Sequence, residues 1–175
     1  MRETVDQLRA KKRADELASE RAVDYERLRD LLKSGQWKAA DQETADRMCE
    51  VMGRQEDGWL RVEDIQNFPC IDLRTIDQLW VKHSRGKFGF SVQKKIWQEC
   101  GSPTANTPNW EKFGEVVEWK KGDVWKIYNE LTFEISAPSG HLPSPVYFKI
   151  GLLGRRWWVW VVSSPASRLA DCSIE

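Results

Sequence analysis

Two histidines, four cysteines and one adjacent pair of carboxylates are the residues of this 175-residue chain whose types suit catalysis or metal binding. His83 falls on an apolar helical stripe, where a hydrogen-bonded structural role outweighs ligation. His141 lies in a Pro/Gly loop, a setting where functional groups concentrate, yet its ring serves equally well to anchor that loop to a backbone carbonyl. Cys49, Cys70, Cys100 and Cys172 contain no CxxC pair and, with only two histidines elsewhere, build no zinc site at usual spacings. Free, mostly buried thiols in a reducing cytoplasm are expected. Glu63 and Asp64 read as a solvated or helix-N-terminal carboxylate face rather than an acid–base pair. There is no Gly-rich phosphate loop after a strand, no HExxH and no GxSxG. Neither a catalytic nor a metal site is expected.

Binding chemistry is the stronger reading. Ten tryptophans are more than core packing requires, since Leu, Ile and Val fill a core without an indole N–H to satisfy. Phe88 and Phe90 flank Gly89 in a short interhelical loop, where aromatic rings must be covered either by the protein itself or by a ligand. Trp119, Trp125, Tyr128, Tyr147 and Phe148 add aromatic area, and Lys149, Arg155 and Arg156 follow directly. Aromatic faces beside cations suit a flat, anionic, conjugated ligand: the ring stacks and the carboxylates take charge-assisted hydrogen bonds. For residues 146–162 a partner-docking or membrane-surface role is the alternative, because Trp/Arg clusters also anchor protein interfaces.

Such a site needs elements to position it. Basic and acidic side chains balance at 27 each, which argues against nucleic-acid binding, since phosphates demand a Lys/Arg surplus. A composition 41% hydrophobic and 31% charged excludes wholesale disorder. The N-terminus has no apolar h-region, and residues 146–162 are too short and too charged to span a bilayer. Residues 1–24 are expected as a charged, solvated helix, with a coiled coil as the less supported alternative. Apolar residues at three- and four-residue steps then predict a helix through Leu28 and Leu32 closed at Ser34-Gly35, and another from Trp37 closed at Gly53. A shorter segment, Trp59 to Phe68, is stopped by Pro69. Asp72 is expected to cap a helix carrying Leu73, Ile76, Leu79 and Trp80, and Ser91 to cap one ended by Gly101. Beyond Asn109 the aromatics show no helical face. Phe133-Glu134-Ile135 reads as a short strand and residues 136–145 as a rigid loop. The fold class is all-α with an irregular C-terminal region.

Several runs are shared with one family. They are Trp37 through Asp41-Gln-Glu-Thr44, Trp59-Leu60, Phe68-Pro69, Asp72-Leu-Arg-Thr-Ile-Asp77-Gln-Leu-Trp80, Gly86-Lys-Phe-Gly-Phe-Ser-Val-Gln93, Gly122-Asp-Val-Trp125 and Ser136-Ala-Pro-Ser-Gly-His-Leu-Pro143. With these the chain, over about residues 25–145, resembles the genomes-uncoupled (GUN-four) porphyrin-binding domain of oxygenic phototrophs. The resemblance implies a compact, multi-helix "cupped hand" over residues 25–162, followed by a tail, 163–175. Its palm would hold protoporphyrin IX or Mg-protoporphyrin IX, with a bilin in some paralogues. It implies a non-catalytic role, stimulating magnesium chelatase through that enzyme's large porphyrin-binding subunit in chlorophyll synthesis. Peripheral contact with a membrane surface is compatible with it. By position the palm would use Leu60, Val62, Ile65 and Phe68 on one side and Trp125 and Tyr128 in the later region. Phe88, Phe90, His141 and Leu142 complete the pigment-facing candidates, with Lys149, Arg155 and Arg156 for the propionates.

Overall fold

Apolar residues at helical spacing form the stripes that the longer helices turn to the core. The computed structural model describes residues 4–7, 16–103, 107–144 and 167–174. Helix α1 (Glu26–Lys33) buries Leu28 and Leu32, and α2 (Trp37–Val51) buries Trp37, Ala40, Thr44, Met48 and Val51. A short α3 (Val62–Gln66) leads through Pro69 into α4 (Cys70–His83), whose Leu73, Ile76, Leu79 and Trp80 face the core. Helices α5 (Phe90–Glu99) and α6 (Pro108–Val116) follow, then a two-residue hairpin of β1 (Lys120–Lys121) and β2 (Val124–Trp125). A 3-10 turn spans Tyr128–Glu130. The architecture is all-α, as the periodicity predicts. Among the described residues no helix is long and apolar enough to cross a membrane.

Two apolar clusters result. The larger joins α1, α2, α3 and α4 through Tyr25, Leu28, Ala40, Ile65, Phe68, Ile76, Trp80 and Phe88. The smaller gathers Trp110, Phe113, Val117, Trp119 and Leu131 around α6 and the hairpin, and Phe133 packs against both. Buried carboxylates knit distant segments together. Asp41, on α2, accepts from the backbone N–H and the hydroxyl of Ser144 at 2.7 and 2.8 Å, across 103 residues of sequence. The two later signature runs clasp each other. Gly89 N–H donates to Leu142 O at 3.0 Å, Gly140 N–H to Lys87 O at 2.9 Å, and Gln93 Nε2 to Pro143 O at 2.7 Å.

Several expectations are corrected. Residues 18–25, expected within the N-terminal helix, run as a non-helical strap. The rest of that helix and any coiled coil lie largely outside the described residues. Asp72 does not precede α4 but is its third residue, because its carboxylate is engaged by the strap: the Ser19 hydroxyl, the Glu20 N–H and the Tyr25 hydroxyl all donate to it. Glu20 in turn accepts from Ile71 N–H at 3.0 Å and so satisfies the free N-terminus of α4. Ser91 is likewise inside α5, and Asp77 reaches across from α4 to accept its N–H at 2.8 Å. Helix α6 is an addition. Pro108 at its first positions, with the Thr107 side chain accepting from Trp110 N–H, starts a helix where Pro and Asn suggest only a loop. Residues 133–135 are not a strand. Cys49 and Cys100 are free and buried, but Cys70 and Cys172 are joined in a disulfide, against the expectation of four free thiols. That bond draws residues 167–174, expected as a tail, onto the domain, where Leu169 is fully buried.

Candidate functional site

Gly53 and Gly58 adopt φ values of 65° and 68°, and the turns they permit let the chain leave α2 and return at α3. The loop between them is pinned from within. Arg54 Nε donates to Trp59 O at 3.2 Å, and its guanidinium carbon lies 5.0 Å from the Trp59 ring centroid. Asp64 accepts from Arg61 N–H at 2.8 Å, which caps α3, and pairs with the Arg61 guanidinium through Nε at 3.1 Å and Nη2 at 3.0 Å. That pairing holds the Asp64 carboxyl below its ordinary range, despite burial pushing the other way. On this frame Leu60, Ile65 and Phe68 point into the core, Val62 is half-buried, and Trp59 is 37% exposed. The result is an exposed indole and a guanidinium on one rigid, apolar-backed loop.

The remaining sequence-predicted residues fall elsewhere. Phe88 is fully enclosed between Trp37 and Trp80, with ring centroids 5.5 and 6.3 Å away, and Phe90 is buried beside it. His141 and Leu142 expose no surface. Trp125 stacks on Trp110 at 5.5 Å, and Tyr128 lies 5.0 Å from Phe133, with Lys38 Nζ above both the Tyr128 and Phe133 rings at 5.7 and 5.5 Å. Lys38 stands in the first turn of α2, whereas the Trp59 loop follows the last turn of the same helix. Leu60, Ile65 and Phe68 share the larger apolar cluster, while Trp125 and Tyr128 pack against the smaller one. Lys149, Arg155 and Arg156 lie outside the described residues. Among the described residues no group of three or more His, Cys, Asp and Glu is disposed to hold a metal ion.

The indoles sort by their N–H groups. Trp80 Nε1 donates to the Thr44 hydroxyl at 3.0 Å, Trp97 Nε1 to Pro103 O at 3.0 Å, and Trp119 Nε1 to His141 O at 2.8 Å. These tryptophans are scaffold, Trp119 included, although the sequence offers it as ligand-facing aromatic area. Trp59, which is not among the residues expected from the sequence to face a ligand, is left exposed. Its position directly after Gly58, off any sustained helical stripe, is the signal that distinguishes it.

His141 is a structural anchor. Its Nδ1–H donates to Val117 O at 2.6 Å and its Nε2 accepts from Thr132 N–H at 3.0 Å, so both partners select the neutral ring. Burial lowers its pKa from the ordinary histidine value, outweighing the upward pull of the Val117 carbonyl. A folded-state pKa below the unfolded value of about 6.5 gives stability that is complete above that pH. It is lost as pH falls below it, because only the unfolded chain takes up the proton freely. His83, also held below its ordinary value mainly by burial, acts in the same direction. Urea unfolding at pH 7.5 and 5.5 is expected to show lower stability at 5.5. His141→Ala is expected to lose about 2–4 kcal/mol at pH 7.5, since it strands the Val117 carbonyl and the Thr132 N–H.

Comparison with known proteins follows the same outline. A family profile described as GUN4-like matches residues 18–159. A Ycf53-like protein of Synechocystis sp. is 40% identical over 130 residues, covering 73% of this chain and 53% of the relative. A chloroplastic tetrapyrrole-binding protein of Arabidopsis thaliana is 30% identical over 164 residues, covering 87% of this chain and 58% of the relative. The chain thus spans about half the length of the curated relatives it matches. Among solved structures, GUN4 from Chlamydomonas reinhardtii superposes with a TM-score of 0.67 at 27% identity, covering 86% of this chain and 93% of that one. Ligand-free GUN4 from Arabidopsis thaliana gives 0.64 at 30% identity, over 83% and 98%.

Proposed function

This chain belongs to the GUN4-like family, and on that premise we propose that it is a non-catalytic tetrapyrrole-binding regulator. The observation that carries the reading is the exposed Trp59 indole beside Arg54 on a loop pinned at both ends. A planar macrocycle stacks on an indole at low entropic cost when the indole is already held in place. Leu60, Ile65 and Phe68 supply the apolar backing behind it, and Val62 is half-buried at the start of α3. Arg61 is half-exposed, and Asp64 engages two of its three guanidinium nitrogens, so it is well suited to meet a propionate. Lys149, Arg155 and Arg156 are proposed as further propionate partners. The pigment proposed is protoporphyrin IX or its magnesium complex, and the regulated process is magnesium chelatase activity, reached through the large porphyrin-binding subunit in the cytoplasm.

The test is a titration with magnesium protoporphyrin and, in parallel, a bilin. Binding is expected to shift the Soret band and quench tryptophan emission with a dissociation constant of about 1 µM or below. Trp59→Ala is expected to weaken binding by about tenfold or more while leaving the unfolding midpoint within about 2 °C, because the side chain is exposed. No spectral change with magnesium protoporphyrin at ten times that concentration sinks the porphyrin reading. Preference for the bilin assigns the chain to the bilin-binding paralogues instead.

A further inference from the structure

Residues 167–174 are held against the domain by one covalent bond and a few polar ones. Cys172 is joined to Cys70, 102 residues earlier, with their Cα atoms 5.3 Å apart. Arg168 Nε donates to Phe68 O at 2.8 Å, Arg74 Nη2 to Cys172 O at 3.0 Å, and Lys94 Nζ to Ile174 O at 2.9 Å. Leu169 and Ile174 are buried in the same cluster as Leu60, Ile65 and Phe68. The C-terminal segment therefore braces the far end of the wall that carries the candidate pigment residues. The two other thiols are unsuited to compete for the bond. Cys49 and Cys100 are buried, and burial pushes the Cys49 thiol up, which suppresses the reactive thiolate. Within the pair, Cys70 is partly exposed at the start of α4, whereas Cys172 is only 5% exposed.

We propose that Cys70–Cys172 is a thiol–disulfide exchange site whose redox state sets how firmly residues 167–174 brace the Phe68–Cys70 end of the wall, and hence the affinity for the tetrapyrrole. The affinity half rests on the tetrapyrrole reading above; the tether half does not. The reductant is a dithiol, small or protein-borne. One of its thiolates attacks the sulfur of Cys70, the more exposed residue of the pair, the Cys70–Cys172 bond breaks, and Cys172 leaves as a thiolate that takes a proton from water. The second thiol of the reductant, deprotonated, then displaces Cys70. The dithiol ends as a disulfide and both cysteines as thiols, a transfer of two electrons. Reduction leaves the segment attached by hydrogen bonds to carbonyls and by a few apolar contacts, which open locally far more often than a cross-linked chain.

The full chain, oxidised and after dithiothreitol, supplies the test. Alkylation under denaturing conditions followed by mass spectrometry is expected to label Cys49 and Cys100 alone before reduction, and all four cysteines after it. Amides of residues 167–174 are expected to exchange with deuterium at least about tenfold faster in the reduced chain, and magnesium protoporphyrin to bind about three- to tenfold more weakly. Cys172→Ser should match the reduced chain in both conditions and Cys49→Ser the wild type. If Cys172→Ser does not fold, the wild-type comparison carries the test alone. Labelling of all four cysteines before reduction, or equal exchange in the two states, overturns the proposal. Equal affinity in the two states overturns its affinity half. Absence of porphyrin binding in both states removes the pigment reading together with that half, while the exchange measurement still decides the tether.

Discussion

Replacing Asp72 with alanine is expected to lower the unfolding free energy by about 3–5 kcal/mol. The side chain is fully buried, and its two oxygens accept from the Ser19 hydroxyl, from Glu20 N–H at 2.9 Å and from the Tyr25 hydroxyl at 2.8 Å. Tyr25 is itself without exposure, and burial together with the adjacent carboxylate drives its pKa far above the usual phenol range, so it stays a donor at every accessible pH. Truncation leaves that donor and the Glu20 N–H facing a small apolar void. It also frees the strap that brings Glu20 to the N-terminus of α4. Asp72→Asn keeps one acceptor oxygen and is expected to lose roughly half as much. Guanidinium unfolding followed by tryptophan fluorescence measures both. A loss below about 1 kcal/mol for the alanine variant is incompatible with Asp72 as the anchor of the strap.

Gly89→Ala is expected to destabilise the fold by about 3–5 kcal/mol, from two separate causes. Its φ of 137° lies where a Cβ is disfavoured, and the added carbon would sit 2.7 Å from Val81 Cγ2 and 2.9 Å from Asp77 Oδ1. The backbone is not free to move away, because Gly89 N–H is bound to Leu142 O and Asp77 is bound to the N–H of Ser91. At this chain length such a loss lowers the thermal midpoint by roughly 6–20 °C. Val81→Ala in the Gly89→Ala background removes the overlap with Val81 but neither that with Asp77 nor the strain, so partial recovery is expected, and full recovery would show that the backbone conformation and the Asp77 contact cost nothing.

Gly89 also shows what the signature runs are for. The stretches 86–93 and 136–143, which most strongly carry the family resemblance, meet through Gly89, Gly140 and Gln93 and close the core around Phe88 and Leu142. The run from Asp72 to Trp80 does the same for α4, with Asp72 on the strap, Asp77 on α5 and Trp80 on Thr44. These motifs specify the frame. The exposed surface proposed to take the ligand, around Trp59, is carried on a loop that shares only Trp59-Leu60 with the family runs. A sequence pattern is sharpest where packing tolerates least, which is inside the fold, whereas an exposed binding face tolerates more.

The helical class was legible because amphipathic periodicity is local. Leu73, Ile76, Leu79 and Trp80 declare their shared face within two turns, whatever packs upon it. Helix α6 was hidden because nine residues opening on Pro108 and containing Gly114 carry too little periodicity to outweigh loop signals. The strap over residues 18–25 was hidden because its composition favours helix, and it is held otherwise by the distant Asp72, Thr75 and Ile71 together with the Ser19 hydroxyl, which accepts from Arg21 and Val23 N–H. By itself the sequence determined the all-α class, the family and the order of helices α1 to α5, since periodicity and motif spacing are properties of neighbouring residues. Only the tertiary structure decided that Cys70 pairs with Cys172, that Trp119 is spent on His141 while Trp59 faces outward, and that Trp125 stacks on Trp110 and Tyr128 packs on Phe133. Those outcomes depend on contacts spanning up to about a hundred residues, formed once the chain is closed, and no local pattern encodes them.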